Sequence, residues 1–333
     1  MHTLSVLPEL ITDNIVRSTG ATDIRVGENI QELWGGYGGI FRLHLKGSTH
    51  QSAILKLIQP PQRARHPRGW NTLSSHQRKI RSYQVETHWY SNYSSLCYER
   101  CPVPLVLATG SDTTRQWILM EDLTTRYPLS ASVLSLAEAS ACLQWLATFH
   151  SCFLGRTPCG LWPKGTYWHL DTRQDELNSM PEGELKSYAT SLDALLSECP
   201  YQSIVHGDAK VANFCFNSDK SAVAAVDFQY VGGGVGIKDV AYFLGSCLDE
   251  NTIEKNESAL LSVYFNALTE QIAANHSDKF AQQVEHAWSA LYAIAWTDFY
   301  RFLEGWMPGH AKINRYTKSL AVRAFDQLKL RDR

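Results

Sequence analysis

The sequence contains no run of about 18 apolar residues, the length that a membrane-spanning helix requires. Its opening residues, MHTLSVLPELITDN, lack the basic start and continuous apolar stretch of a signal peptide, so none is expected. The formal net charge of only −2 gives no general attraction to nucleic acid or to anionic lipid. These absences predict a protein with neither a membrane nor a nucleic-acid partner.

The sequence also has no CxxC motif. The eight cysteines are scattered singly, and the pair Cys97 and Cys101 has no matching second pair to complete a zinc site. Cys142 and Cys247 lie in apolar runs, where a free thiol acts as a small hydrophobe. The sequence also has no internal repeat and no low-complexity tract. We therefore expect reduced thiols and a cytoplasmic location.

The length of 333 residues, with 44% apolar and 19% charged residues, is enough for two lobes with substantial cores. Lysine and arginine gather locally in residues 60–81, PPQRARHPRGWNTLSSHQRKIR. Such a run either attracts anions or forms a solvated loop followed by the start of a helix. The second interpretation is the more common one.

The first third of the chain has strand patterns. Residues 40–47 alternate between apolar and polar, residues 52–58 form a short apolar run, and the turn formers between them predict a hairpin. A helical face follows in residues 74–96, and PVPLVLATG and QWILMEDL predict two further strands. These elements together predict a small sheet with one helix.

The rest of the chain is predicted to be mainly helical. Helices are expected over 134–154, with Ser135 as N-cap, over 184–198, and through the aromatic tail from about 255 to 329, including a helix at 286–306. Two short strands, SIVHG and AVAAVDF, flank a polar loop between these helices. The overall class is therefore α+β.

The candidate catalytic and metal-binding residues lie in the stretch IVHGDAKVANFCF and in VDFQYVG, which follows it. A hairpin with the turn NSDKS would bring Asn213 and Asp227 together, and their oxygens are ligands that Mg²⁺ accepts. Asp208 could then orient an attacking hydroxyl, which is what phosphoryl transfer requires of a protein. The alternative for all three residues is turn chemistry and strand capping.

These two motifs resemble the catalytic loop and metal motif of the kinase-like small-molecule phosphotransferases, which include aminoglycoside, choline and ecdysteroid kinases. The motif DFQ, followed by KDVAYFL, is most similar to the corresponding motifs of the ecdysteroid-kinase-like branch. The resemblance implies a protein-kinase-like two-lobed fold, with a small antiparallel-sheet N-lobe and a larger, mainly helical C-lobe. It implies that Asp208 is the catalytic base, that Asn213 and Asp227 bind Mg²⁺, and that Asp239 braces the catalytic loop.

The same resemblance assigns residues 1–122 to a nucleotide-binding lobe and residues 123–333 to a catalytic and acceptor-binding lobe. It implies that Lys56 in AILKLI holds the phosphates of ATP, paired with Glu86. The backbone of Glu121, Asp122 and Leu123 would contact adenine.

The glycines in LWGGYGGIFRLHL occupy the place of a phosphate-covering turn, with Gly36 and Gly38 as candidate nucleotide contacts. The spacing departs from the protein-kinase GxGxxGxV pattern, because Phe41 stands where the third glycine would be. The departure from this pattern leaves the predicted class unchanged.

Four further residues have competing interpretations. His206 is interpreted as a structural brace rather than as a general base, and Lys210 either neutralises charge on the transferred phosphate or is structural. Trp296 and Asp298 are candidates for contacting the acceptor, although core packing is the commoner role for such residues.

Taken together, the sequence predicts an ATP- and Mg²⁺-dependent transfer of the γ-phosphate to a hydroxyl of a small-molecule acceptor. One alternative is a protein Ser/Thr kinase of the same architecture, which the absence of an Ala-Pro-Glu motif disfavours. The other is a nucleotide-binding regulator without turnover, which the complete set of Asp208, Asn213, Asp227 and Lys56 disfavours. The identity of the acceptor and the oligomeric state are left open.

Overall fold

The computed structural model describes residues 7–61 and 73–331, with side chains in the second range from residue 75 onward. The chain divides into two compact units. The first contains the described residues up to Tyr98 together with Val103–Arg126, and the second contains Glu99–Pro102 and the described residues from Tyr127 onward. Most of the basic run, residues 62–72, lies outside the described residues, and a helix begins directly after it.

The first unit is built on a five-stranded antiparallel sheet. Its elements are α1 (Glu9–Thr19), β1 (Asp23–Glu32), β2 (Gly38–Lys46), β3 (Ser52–Ile58), α2 (Leu73–Asn92), β4 (Val106–Ser111) and β5 (Gln116–Glu121). The strand order is β1-β2-β3-β5-β4. The predicted β2–β3 hairpin is confirmed, with Arg42 opposite Ile54.

The elements α1 and β1 were not predicted from the sequence. Helix α1 buries Ile11 and Ile15, spaced four residues apart, in a core cluster that also contains Leu43, Leu55 and Trp117. Strand β1 lies at the edge of the sheet and its residues are mostly exposed. An exposed edge strand needs few apolar residues, so its sequence carries a weak periodic signal.

The second unit is mainly helical. Its elements are α3 (Leu136–Cys152), α4 (Gln174–Ser179), α5 (Glu184–Ser187), α6 (Ala189–Ser197), β6 (Ser203–Val205), β7 (Phe214–Phe216), β8 (Val223–Ala225), β9 (Gly232–Gly234), α7 (Ile237–Cys247), α8 (Glu250–Ala273), α9 (Asp278–Ala290), α10 (Tyr292–Trp306) and α11 (Arg315–Arg331). Strands β6 and β9 form one antiparallel pair, and β7 and β8 form another.

The N-cap predicted at Ser135 is confirmed, because its hydroxyl accepts from the Glu138 amide while the Glu138 carboxylate accepts from the Ser135 amide. Two predicted helices are wrong in their extent. The segment 184–198 breaks at Tyr188 into α5 and α6, and the segment 286–306 breaks at Leu291 between α9 and α10. Neither break coincides with a glycine or proline.

All eight cysteines are free thiols, as their scattered spacing predicted. Within residues 7–61 and 73–331, none of the helices combines the length and the apolar character needed to cross a bilayer.

Candidate active site

The β7–β8 hairpin brings Asn213 and Asp227 together. Asn213 ends a short 3₁₀ turn directly before β7, and its carbonyl accepts from the Val226 amide at 2.9 Å, directly after β8. Asp227 follows with a φ of 68°, and its Oδ1 accepts from the Gln229 side chain. The predicted hairpin is therefore confirmed, and it pairs the backbone of Asn213 with the residue directly before Asp227.

The carboxylate of Asp208 is only 6% exposed, and different groups contact its two oxygens. Oδ2 accepts from Lys210 Nζ at 2.9 Å and from Asn213 Nδ2 at 3.2 Å. Oδ1 accepts from the hydroxyl of Tyr242 on α7 at 3.2 Å. Asn213 also donates to the Asp208 carbonyl at 2.8 Å, which fixes the amide orientation and leaves Asn213 Oδ1 available as an acceptor.

Asp239, at the start of α7, holds the loop that carries Asp208. Its Oδ2 accepts from the His206 amide at 2.6 Å and its Oδ1 accepts from the Gly207 amide at 2.9 Å. His150 on α3 lies 3.1 Å from the same Oδ2 and is itself bonded to the Tyr264 hydroxyl at 2.8 Å. Asp239 is thus in the bracing position that the resemblance implied.

His206 uses both ring nitrogens on the backbone. Nδ1 accepts from the Asp208 amide at 3.3 Å, and Nε2 donates to the Val226 carbonyl at 3.0 Å. Burial lowers its pKa despite the nearby carboxylates of Asp239 and Asp208, so the ring is neutral at pH 7. The imidazole therefore links the loop to the residue before Asp227, which is the structural interpretation given to it.

Gly207 allows this loop to approach its neighbour. It has a φ of 79°, and a Cβ at this position would lie 2.0 Å from the Tyr230 carbonyl oxygen. Any side chain here would therefore displace the loop next to Asp208.

Burial and charged neighbours determine the protonation of two residues in the cluster, Lys210 and Tyr242. Burial disfavours the charge on Lys210, but the carboxylates of Asp208 and Asp227 outweigh it and raise the pKa, so this lysine is an ammonium. Burial, together with neighbouring Tyr167 and Asp208, raises the pKa of Tyr242 well above its usual value. Tyr242 therefore remains a neutral hydrogen-bond donor.

In the first unit, Lys56 on β3 and Glu86 on α2 form a buried ion pair at 2.7 Å. The two residues are 2% and 1% exposed. Lys56 Nζ also lies 5.8 Å from the ring centroid of Tyr83. The strand and the helix thus hold one positive charge in a fixed position.

Gly36 and Gly38 lie where β1 passes into β2, the predicted place for a covering turn. Both have positive φ values, of 76° and 125°. A Cβ on Gly38 would lie 2.1 Å from the Leu57 carbonyl oxygen, so only glycine fits there, while Gly36 has open space around it.

The side chains of Glu121 and Asp122, at the end of β5, are engaged in structural contacts. Glu121 pairs with Arg126 at 2.9 Å, and Asp122 accepts from Arg42 at 2.7 Å and from Ser52 at 2.8 Å. Asp122 also caps the 3₁₀ turn that begins at Leu123, and these hydrogen bonds lower its pKa against the opposing effect of burial. Any ligand contact from this segment would have to come from its backbone.

Trp296 and Asp298 lie in the interior of the second unit. Trp296 is 2% exposed and packs edge-on against Tyr316. Asp298 pairs with Arg301 at 2.9 Å and with Lys238 at 3.5 Å. This placement favours the packing alternative for both residues.

Sequence reasoning assigned no role to Tyr242 or to Lys312. Tyr242 lies in the motif KDVAYFL, so it could have been proposed as a site residue from the sequence. Lys312 lies between α10 and α11, with Nζ 4.7 Å from the Tyr242 ring centroid, and its surroundings in sequence carry no motif. Among residues 7–61 and 73–331 there is no cluster of three His, Cys, Asp or Glu that could hold a metal ion.

Residues 168–276 match the family model of the ecdysteroid kinase-like family, which confirms the predicted resemblance to that branch. No curated protein sequence gives a significant match. Among solved structures, an amicoumacin kinase in complex with AMP-PNP, Ca²⁺ and Ami aligns over 95% of this chain and 92% of its own, at 12% identity and a TM-score of 0.51. A choline kinase from Streptococcus pneumoniae aligns over 94% and 98%, at 11% identity and a TM-score of 0.49.

At this identity the likeness to the amicoumacin kinase establishes the fold. The predicted class, an α+β protein-kinase-like fold, is therefore confirmed.

Proposed function

We propose that this protein transfers the γ-phosphate of ATP to a hydroxyl group of a small molecule, with Mg²⁺ as cofactor. The observation that carries the proposal is the Asp208 carboxylate, held on a braced loop with a cation and an amide on one oxygen and a neutral phenol on the other. Such a fixed carboxylate can orient a hydroxyl for attack, which is the main task of the protein in phosphoryl transfer.

In the proposed reaction, the acceptor oxygen forms a bond to the γ-phosphorus as the bond from that phosphorus to the β–γ bridging oxygen breaks. ADP leaves with the bridging oxygen, and the acceptor proton passes to Asp208. Lys210, 2.9 Å from Asp208 Oδ2, would neutralise charge on the transferred group.

Asn213 and Asp227 fit a magnesium ion. Mg²⁺ is usually held by one or two protein oxygens and completed by water and phosphate oxygens. The Oδ1 of Asn213 and the carboxylate of Asp227, brought to the same end of the β7–β8 hairpin, would provide two such hard ligands. When bound, the ion would neutralise charge on the phosphate oxygens.

The nucleotide is assigned to residues 1–122, with residues 123–333 supplying the catalytic and acceptor-binding groups. Lys56, fixed by Glu86, would hold the phosphates, while Gly36, Gly38 and the backbone of 121–123 would contact the nucleotide. The amicoumacin kinase, which has this fold, was solved with AMP-PNP. Trp296 and Asp298 are left out of the proposed acceptor site because both are buried.

The test is ATP binding followed by ATP consumption. We expect ATP with Mg²⁺ to raise the thermal midpoint of the wild type, and Lys56→Met to weaken ATP binding by about tenfold or more, the effect of losing a charged hydrogen bond. Lys46→Met, an exposed lysine on β2, is the matched control and should leave binding unchanged. The midpoint without nucleotide reports separately on folding.

A panel of hydroxylated compounds then tests turnover. Consumption of ATP that depends on an added acceptor would support the proposal. Stabilisation by ATP without consumption with any acceptor would favour a nucleotide-binding regulator instead.

A further inference from the structure

Lys312 brings a second cation to the Asp208 cluster. It is half-buried, and its Nζ lies 4.7 Å from the ring centroid of Tyr242 and 5.5 Å from that of Phe299. The Tyr242 hydroxyl donates to Asp208 Oδ1 at 3.2 Å. The ammonium therefore lies over the ring that contacts the proposed catalytic carboxylate.

Lys312 differs from the other partly or fully buried lysines near the site. Lys210 is 2.9 Å from Asp208 and Lys238 is 3.5 Å from Asp298, while Lys312 Nζ has no ion-pair or hydrogen-bond partner in the described parts of the chain. Burial lowers its pKa to about 8, against the opposing effect of the Asp208 carboxylate. A half-buried cation without a directly bonded counterion is stabilised when a ligand supplies one.

Lys312 contacts a different part of the cluster from Lys210, although the Lys210 ammonium is near enough to lower its pKa further. Lys210 and Asn213 contact Asp208 Oδ2, next to the proposed metal ligands. Tyr242 contacts the other oxygen, Oδ1, and Lys312 lies over Tyr242. The ammonium is thus linked through Tyr242 to Oδ1, the oxygen of Asp208 that neither Lys210 nor Asn213 contacts.

We propose that Lys312 is a specificity-determining residue of the acceptor site and that the acceptor carries an anionic group, such as a carboxylate, beside its hydroxyl-bearing part. The proposal rests on the proposed function. Aromatic faces can bind a cationic ligand, but here the faces of Tyr242 and Phe299 are already occupied by the ammonium of the chain itself. A cationic acceptor would meet a like charge there, whereas an anion would provide the missing counterion.

The experiment compares three probes on one scaffold: 4-(hydroxymethyl)benzoate, 4-(hydroxymethyl)benzamide and 4-(hydroxymethyl)benzylamine. They are anionic, neutral and cationic, and each carries the same alcohol. Calorimetric titration of the wild type without nucleotide should give the tightest binding for the benzoate and the weakest for the benzylamine. We expect the benzoate to bind about ten- to a hundredfold more tightly than the benzamide, the range for a hydrogen bond between charged groups.

Variants then locate the origin of the preference. Lys312→Met should abolish the preference for the benzoate over the benzamide, and Lys312→Arg should retain it. Lys318→Met, an exposed lysine on α11, is the matched control and should bind all three probes as the wild type does. Thermal midpoints of the variants show whether each is folded. If Lys312→Met does not fold, the binding preference of Lys312→Arg still tests the role of the positive charge.

Three results would overturn the proposal. One is a benzylamine that binds as tightly as the benzoate or more so, and a second is no preference for the benzoate, including no measurable binding of any probe. The third is a large loss of AMP-PNP and Mg²⁺ affinity in Lys312→Met, which would place the lysine on the nucleotide phosphates. Since the titrations contain no nucleotide, they can fail while acceptor-dependent ATP consumption succeeds, and the two proposals are therefore tested separately.

Discussion

Replacing Asp239 by asparagine is expected to destabilise the second unit strongly. The carboxylate is fully buried and accepts from the amides of His206 and Gly207, with His150 Nε2 also 3.1 Å away. Asparagine has one acceptor oxygen in place of two, so its NH₂ group must face one of these donors. A lost bond to a charged acceptor costs about 1.5–3 kcal/mol, and a buried donor left unpaired about 1–3 kcal/mol more.

The expected loss is therefore about 3–5 kcal/mol in the free energy of unfolding, the range for breaking a buried charged contact. For a unit of this size the thermal midpoint should fall by about 6–20 °C. Asp326→Asn, an exposed aspartate on α11, is the control and should change stability by no more than about 0.5 kcal/mol. The thermal midpoints of the two variants are measured by circular dichroism and compared. If Asp239→Asn melts within a few degrees of the control, the bracing argument is wrong.

Two further substitutions test the protonation of the buried His169 and the packing of the loop that carries Asp208. Burial lowers the pKa of His169 to about 3, so the unfolded chain binds more protons below pH 6.5 and folding stability falls as the pH is lowered from there. Between pH 7.5 and pH 5 the wild type should lose about 2 kcal/mol of its free energy of unfolding through this histidine, and His169→Phe should not show that loss. Thermal melts of His169→Phe with the same pH dependence as the wild type would contradict this. Gly207→Ala should lower phosphate transfer by about a hundredfold, because its Cβ would lie 2.0 Å from the Tyr230 carbonyl oxygen. Gly20→Ala, with a similar φ but open space, should cost only about 1–2 kcal/mol of stability and leave transfer unchanged.

Local patterns predicted those parts of the fold that local interactions determine. The apolar run 52–58 coincides with β3, because a buried strand of this length needs consecutive apolar residues. Ser135 caps α3 through a bond to Glu138, three residues away. The break at Leu291 could not be predicted, because no glycine or proline marks it and helix α10 directly after it is buried on nearly all sides.

The residues of the candidate site that lie close together in the sequence were predicted, and those that tertiary packing brings in were not. Asp208, Asn213 and Asp227 lie within one loop and one hairpin, so their spacing in sequence reflects their spacing in the structure. Tyr242 and Lys312 reach the cluster only through the packing of α7 and the segment after α10. Tertiary packing of that kind leaves no fixed spacing in a single sequence.

The most direct test of the proposed function is phosphate transfer by Asp208→Ala. With γ-labelled ATP, Mg²⁺ and an acceptor found in the screen, the wild type should give a phosphorylated acceptor detectable by mass spectrometry. The variant should lose transfer by about a hundredfold or more, the contribution expected of a positioned general base, while its affinity for ATP is largely unchanged. Equal turnover by Asp208→Ala and the wild type would contradict the proposed role of this carboxylate.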